Sequence, residues 1–222
     1  VYKIASFEIT DIPLIEYAAS KHKPMVLATG IATEEDIQLA VEACRRMGNN
    51  DITVLKCTSS YPAPVEEANL CMIRDLAERF QVKSGLSDHT LGSVSPIVAV
   101  TQGASMIEKH FILNRSIGGP DCSFSMEEKD FAQMVKDVRM AELSLGKTTY
   151  ELTEKMRGSR SASRSLYVAE DMKAGEVITE RNVRSVRPGF GLHPKYLKDI
   201  LGKNVNRDLE KGTRFALEYV NG

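Results

Sequence analysis

The residues best suited to chemistry are two histidines, His89 and His110, each closing a run of strand-like composition and flanked by Ser87, Asp88 and Glu108. Imidazoles at two strand ends can ligate a divalent transition metal, and they can equally be hydrogen-bonded structural residues; the residues by themselves leave both readings open. Lys3, with Ser6 three positions later, offers a cation and a hydroxyl for a phosphate or carboxylate. Lys109 alternates out of phase with His110 and is expected to be a solvated side chain at a sheet edge. The segment from Cys57 to Pro62 carries three hydroxyls (Thr58, Ser59, Ser60) and Tyr61, enough to bond a polyhydroxylated or phosphorylated ligand or simply to bond its own turn. Cys57 has no histidine near it in sequence and reads as a small core residue rather than a nucleophile. Asp121 ends the tight Gly118-Gly119-Pro120 loop as an acceptor for sugar hydroxyls or a plain turn residue, and Arg187 sits on a Pro- and Gly-stiffened loop.

Positioning these groups requires a scaffold that brings strand ends together. Apolar, β-branched runs at 1–5, 25–29, 52–57, 82–86 and 105–109 alternate with helical periodicity at 12–21, 33–47, 65–80, 93–102 and 126–145. Asp11 and Thr33 stand at helix starts, the latter with Asp36 three residues on, and Gly48 and Gly146 stand at helix ends. Strand–helix alternation implies parallel strands with helices packed outside them. Because every strand ends in polar residues, the pattern fits a (β/α)8 TIM-type barrel, whose site is built from all the strand ends, better than an open sheet with one switch point. Five strands make an α/β partial barrel, so the remaining strands are expected upstream of Val1. The domain reading is 1–146 as the C-terminal part of the barrel, 147–163 as a linker, and 164–222 as a small β-rich domain with strands at 165–168, 183–187 and 213–220 and a short helix near 194–200.

The composition excludes several classes. Of 222 residues, 42% are apolar and 27% charged, and 29 Lys and Arg balance 30 Asp and Glu without basic runs, so no nucleic-acid partner is expected. No apolar run reaches the roughly 18 to 20 residues of a bilayer span, so no membrane partner is expected either. The four cysteines, Cys44, Cys57, Cys71 and Cys122, lack metal-finger spacing and read as free thiols of a cytoplasmic protein.

KIAS at 3–6, LATG at 27–30, KCTSSYPAP at 56–64, GLSDHT at 85–90, EKHF at 108–111, GGPD at 118–121 and VRPGFG at 186–191 together resemble the sialic acid synthase family over essentially the whole chain. The C-terminal segment is similar to the antifreeze-like (SAF) domain appended to these barrels. The resemblance implies that His89 and His110 bind a divalent metal, manganese first, with magnesium or cobalt as alternatives. It implies that Lys3, Ser6, Ser59 and Ser87 bind phosphoenolpyruvate, that Tyr61 and Asp121 contact an N-acylated amino-sugar aldehyde, and that Arg187 reaches the sugar's acyl group in a domain-swapped homodimer. Neuraminate synthases carry serine and asparagine where this chain has Ala28 and Ser59, which leaves one phosphate contact open and alters another. ASFEI at 5–9, TSSYPAP at 58–64 and GLHPKYL at 191–197 most resemble the branch that uses 2,4-diacetamido-2,4,6-trideoxy-altrose, with the N-acetylneuraminate and legionaminate branches as alternatives. A catalytic glutamate is expected upstream, so the chain alone is expected to be inactive. Outside the family, a metal-dependent aldolase would also need paired histidines, and a carbohydrate-binding protein would bind sugar without a metal.

Overall fold

The computed structural model describes residues 1–221, and the chain divides into two compact units, Val1–Lys147 and Thr148–Gly222. In the first, five short strands, β1 (Tyr2–Ile4), β2 (Met25–Ala28), β3 (Ile52–Cys57), β4 (Lys83–Asp88) and β5 (Ile107–Lys109), form one sheet in sequence order. All neighbouring pairs are parallel. The four residues of β2 are all buried, as they must be in a strand covered on both faces.

The sheet is curled. A flat sheet would hold β1 and β5 about 19 Å apart, four strand spacings, which two side chains cannot bridge. Yet Lys3 Nζ on β1 lies 2.6 Å from the Glu108 carboxylate on β5. The concave face is therefore the inside of a partial barrel.

Helices α1 (Ile12–Ala19), α2 (Glu34–Arg46), α3 (Met72–Phe80), α4 (Val94–Thr101) and α5 (Glu128–Leu145) connect or follow the strands. Asp11 caps α1 by accepting from the Leu14 amide, and Thr33 with Asp36 forms a full capping box on α2. Ile15, Ala40, Val41, Cys44, Leu76 and Phe80 pack these helices against the strands in one core. The helix expected over 65–80 begins only at Met72. Residues Val65–Glu67 make a single 3-10 turn, and Asn69 at φ 44° takes a left-handed conformation that no continuous helix contains.

In the second unit β6 (Ser165–Val168) pairs antiparallel with β7 (Val183–Val186) over a core of Leu166, Met172, Ile178, Val183, Val205 and Phe215. The local structure here differs from the sequence pattern in two places. The stretch 147–163, read as a linker, contains α6 (Glu154–Ser159), started by the Thr153 side chain accepting from the Met156 amide at 3.2 Å. The strand expected at 213–220 is reduced to two isolated bridges, Arg214 with Tyr167 and Val220 with Val205, on either side of a 3-10 turn at Leu217–Tyr219. The last helix, α7 (Leu197–Ile200), lies within the range expected for it. No helix among the described residues is long and apolar enough to cross a membrane.

Candidate active site at the strand ends

Alternation along β4 and β5 divides their C-terminal residues between two environments. Ser87 and His89 share one face of the chain, as do Glu108 and His110; Asp88 and Lys109 take the other. On the inner face Lys3 Nζ bonds both Glu108 oxygens at 2.6 and 2.7 Å, and the Ser87 hydroxyl donates to Oε1 of the same carboxylate at 2.7 Å. Burial would raise the Glu108 pKa, but the hydrogen bonds from Lys3 and Ser87 outweigh it and hold the group below its ordinary range. Glu108 was legible in the sequence only as a neighbour of the histidines. Its position two residues before His110, hence on the same strand face, was the signal for its bridging role.

Beside this network lies a second cluster. The Gly30 amide donates to Ser6 Oγ at 3.0 Å, and a methyl group at Gly30 would come within 2.0 Å of Ser59 Oγ, 2.8 Å of Ser6 Oγ and 3.1 Å of Cys57 Sγ. These three side chains therefore converge on the space that glycine leaves open. Ser59 Oγ is fully buried without a hydrogen-bond partner among the described residues, a costly state unless a ligand supplies one. Cys57 is buried as its sequence neighbourhood suggests, and its sulfur also lies 3.9 Å from His89 Nδ1. Burial pushes the thiol up, yet hydrogen bonds with His89 and Ser6 bring it down to about 7.

The third cluster holds the imidazoles. The His89 and His110 rings stand edge to face with centroids 5.2 Å apart, and Tyr61 covers both at 4.2 and 5.9 Å. Phe124, which sequence reasoning did not single out, closes the group at 5.0 Å from His110 and 5.6 Å from Tyr61. Asp121 Oδ2 lies 3.6 Å from His110 Nδ1. His89 Nδ1 lies 2.8 Å from the Thr58 carbonyl, and since a carbonyl only accepts, Nδ1 carries the proton in the neutral ring and Nε2 is left with its lone pair. A ligating histidine is usually fixed in this way by its second nitrogen. Burial and the neighbouring His89 hold the His110 pKa down, which favours its neutral, ligating form. Burial opposes protonation of His89, but its bonds to Cys57 and the Thr58 carbonyl raise it, so a cation there must displace a proton. No group of three or more His, Cys, Asp or Glu among the described residues is arranged to hold a metal ion. The chain's own donors fit a metal as a pair of imidazoles that leaves the remaining positions to water or substrate.

Lys109 corrects its sequence reading. It is not solvated: its side chain is 2% exposed and pairs at 2.5 Å with Asp88, itself 1% exposed. The outer face of a barrel strand is covered by helices, so a residue out of phase with the site is buried rather than wetted. Arg187 lies in the second unit, exposed, directly after β7.

Residues 1–150 match the NeuB family and residues 163–214 the SAF domain. The chain belongs to the NeuB family. It is 50% identical to pseudaminic acid synthase of Helicobacter pylori over 99% of this chain and 65% of that protein, and so spans about two thirds of that relative's length. It is 33% identical to N,N'-diacetyllegionaminic acid synthase of Legionella pneumophila over 98% of this chain and 63% of that one. Among solved structures, the spore coat polysaccharide biosynthesis protein SpsE of Bacillus subtilis superposes with a TM-score of 0.63 at 32% identity, covering 99% of this chain and 67% of the other.

Proposed function

We propose that this chain carries the metal-binding and phosphoenolpyruvate-binding side of a pseudaminic acid synthase, which condenses phosphoenolpyruvate with 2,4-diacetamido-2,4,6-trideoxy-altrose to give a nine-carbon 2-keto sugar acid and phosphate. The observation that carries the reading is the convergence of two imidazoles, one held with a free Nε2, beside a cradle whose Ser59 hydroxyl is buried and unpartnered. The greater identity to a pseudaminic than to a legionaminic acid synthase supports the choice of sugar.

In this reading Lys3 and the hydroxyls of Ser6, Ser59 and Ser87 hold the anionic groups of phosphoenolpyruvate, turning a bimolecular encounter into an oriented one. The Glu108 carboxylate keeps the Lys3 ammonium aimed along the inner face. His89 and His110 hold a divalent metal, manganese or in its place magnesium or cobalt, which when bound supplies Lewis-acid polarisation of the sugar's aldehyde oxygen. Tyr61 and Asp121 orient the sugar from the rim, where the Tyr61 ring packs against both imidazoles and Phe124. Arg187 of one subunit reaches the acyl group of a sugar held by the other in a domain-swapped homodimer. The four unpaired cysteines suit a reducing cytoplasm.

The test is phosphate release by the protein expressed with any upstream coding sequence, given phosphoenolpyruvate, manganese and either the diacetamido sugar or N-acetylmannosamine. Turnover with the diacetamido sugar alone, abolished by chelation, is expected. Turnover with N-acetylmannosamine alone moves the chain to the neuraminate branch, and no phosphate with either sugar overturns the synthase reading.

A further inference from the structure

The Asp88–Lys109 pair lies behind the site, and its geometry does more than neutralise two buried charges. Asp88 and Lys109 are directly opposite each other in the β4–β5 ladder, so the pair ties the two strands at the rung just before both histidines. Each partner also holds the backbone of Thr90: the Thr90 amide donates to Asp88 Oδ1 at 2.9 Å, and Lys109 Nζ donates to the Thr90 carbonyl at 2.6 Å. The Thr90 hydroxyl donates in turn to Ser95 Oγ at 3.0 Å, which ties the turn to α4. His89 is thus flanked on both sides by residues the pair immobilises, and His110 directly follows the lysine.

We propose that Asp88 and Lys109 act as a positioning pair whose clamp on Thr90 fixes the direction of the His89 imidazole and its spacing from His110. The proposal rests on the reading of the two histidines as metal ligands, but the clamp itself acts on the metal-free protein. A neutral pair that packed equally well would keep the fold and loosen the aim, because it lacks the charge-assisted hydrogen bonds by which the carboxylate and the ammonium hold both polar groups of Thr90 and each other.

The experiment uses the protein with any upstream coding sequence. Lys109→Met leaves a buried carboxylate unpaired and can unfold the protein, so the double variant Asp88→Asn/Lys109→Gln, which carries no buried charge, is measured beside it. Two readouts are taken. Long-range proton–nitrogen NMR of the metal-free protein at alkaline pH reports the His89 tautomer, and titration with manganese alone reports affinity. Wild type is expected to show His89 protonated at Nδ1 only. The folded variants are expected to show mixed tautomers and manganese binding weaker by about 10- to 100-fold, the range for lost support behind a ligand. Variants that keep a single His89 tautomer and wild-type manganese affinity overturn the proposal. If wild type binds no manganese while the variants still mix tautomers, the metal reading falls and the clamp stands. If the tautomer alone is unchanged, the clamp falls whatever the metal does.

Discussion

The two units bury polar groups for different ends. In the first, Asn49 holds loop backbone, but six buried polar residues, Ser6, Thr29, Ser87, Asp88, His89 and Thr90, gather at the strand ends. In the second the buried polar residues are Ser165 and Asn182, and both are fully engaged in holding loops. Ser165 Oγ donates to the Pro188 carbonyl and accepts from the Gly191 amide, while Asn182 bonds Thr179, Glu176 and Val177. Charge follows the same division: residues 1–147 carry 15 Lys and Arg against 20 Asp and Glu, and residues 148–222 carry 14 against 10. A buried polar group that shapes a loop has its partners inside the protein, whereas one that serves a ligand is left short of a partner. Ser59 is the group that fits the second description.

The contrast breaks most sharply at the imidazoles. Replacing His89 or His110 by alanine is expected to lower phosphate release by at least about a hundredfold and to abolish manganese binding, while urea denaturation leaves the second unit's transition unchanged. If either variant retains full activity, the first unit's buried polar groups are structural like those of the second. In the opposite direction, Asn182→Ala strands several loop groups and is expected to cost about 1–3 kcal/mol in the second unit's denaturation, with manganese affinity unaltered.

Ser59→Ala separates the two kinds of buried group within one residue type. Its hydroxyl has no partner to lose, so stability is expected to hold or rise slightly, while the KM for phosphoenolpyruvate rises about tenfold, the worth of one hydrogen bond to a charged group. A loss of stability without a change in KM would make it a loop residue. The smallest effect is expected from pH. Glu108 is held below its ordinary value of 4.5 by Lys3 and Ser87, so its contribution is fully present above that value and is lost as pH falls through the depressed folded one. Lys3→Met should flatten this acid limb of the first unit's denaturation midpoint; an unchanged limb would show that the exposed Lys3–Glu108 pair adds little.

The sequence alone determined the strand–helix alternation, the polar strand ends and the candidate residues His89, His110, Lys3, Ser6 and Ser59, because side-chain period and helix caps are local properties. Asp11, Thr33 and Asp36 cap helices as their spacing requires. Local rules failed where one residue decided a boundary, as with Asn69 delaying α3, and where a stretch of mixed composition formed α6 in an expected linker. Only the tertiary structure decided which groups meet. Lys3 and Glu108 are 105 residues apart and touch because the sheet curls; Cys57 and His89 touch because β3 and β4 are neighbours. Lys109 shows the reason most plainly. Alternation correctly sent it to the face opposite His110, but whether that face meets water or a helix is set by the layers around the sheet, and no local pattern encodes it.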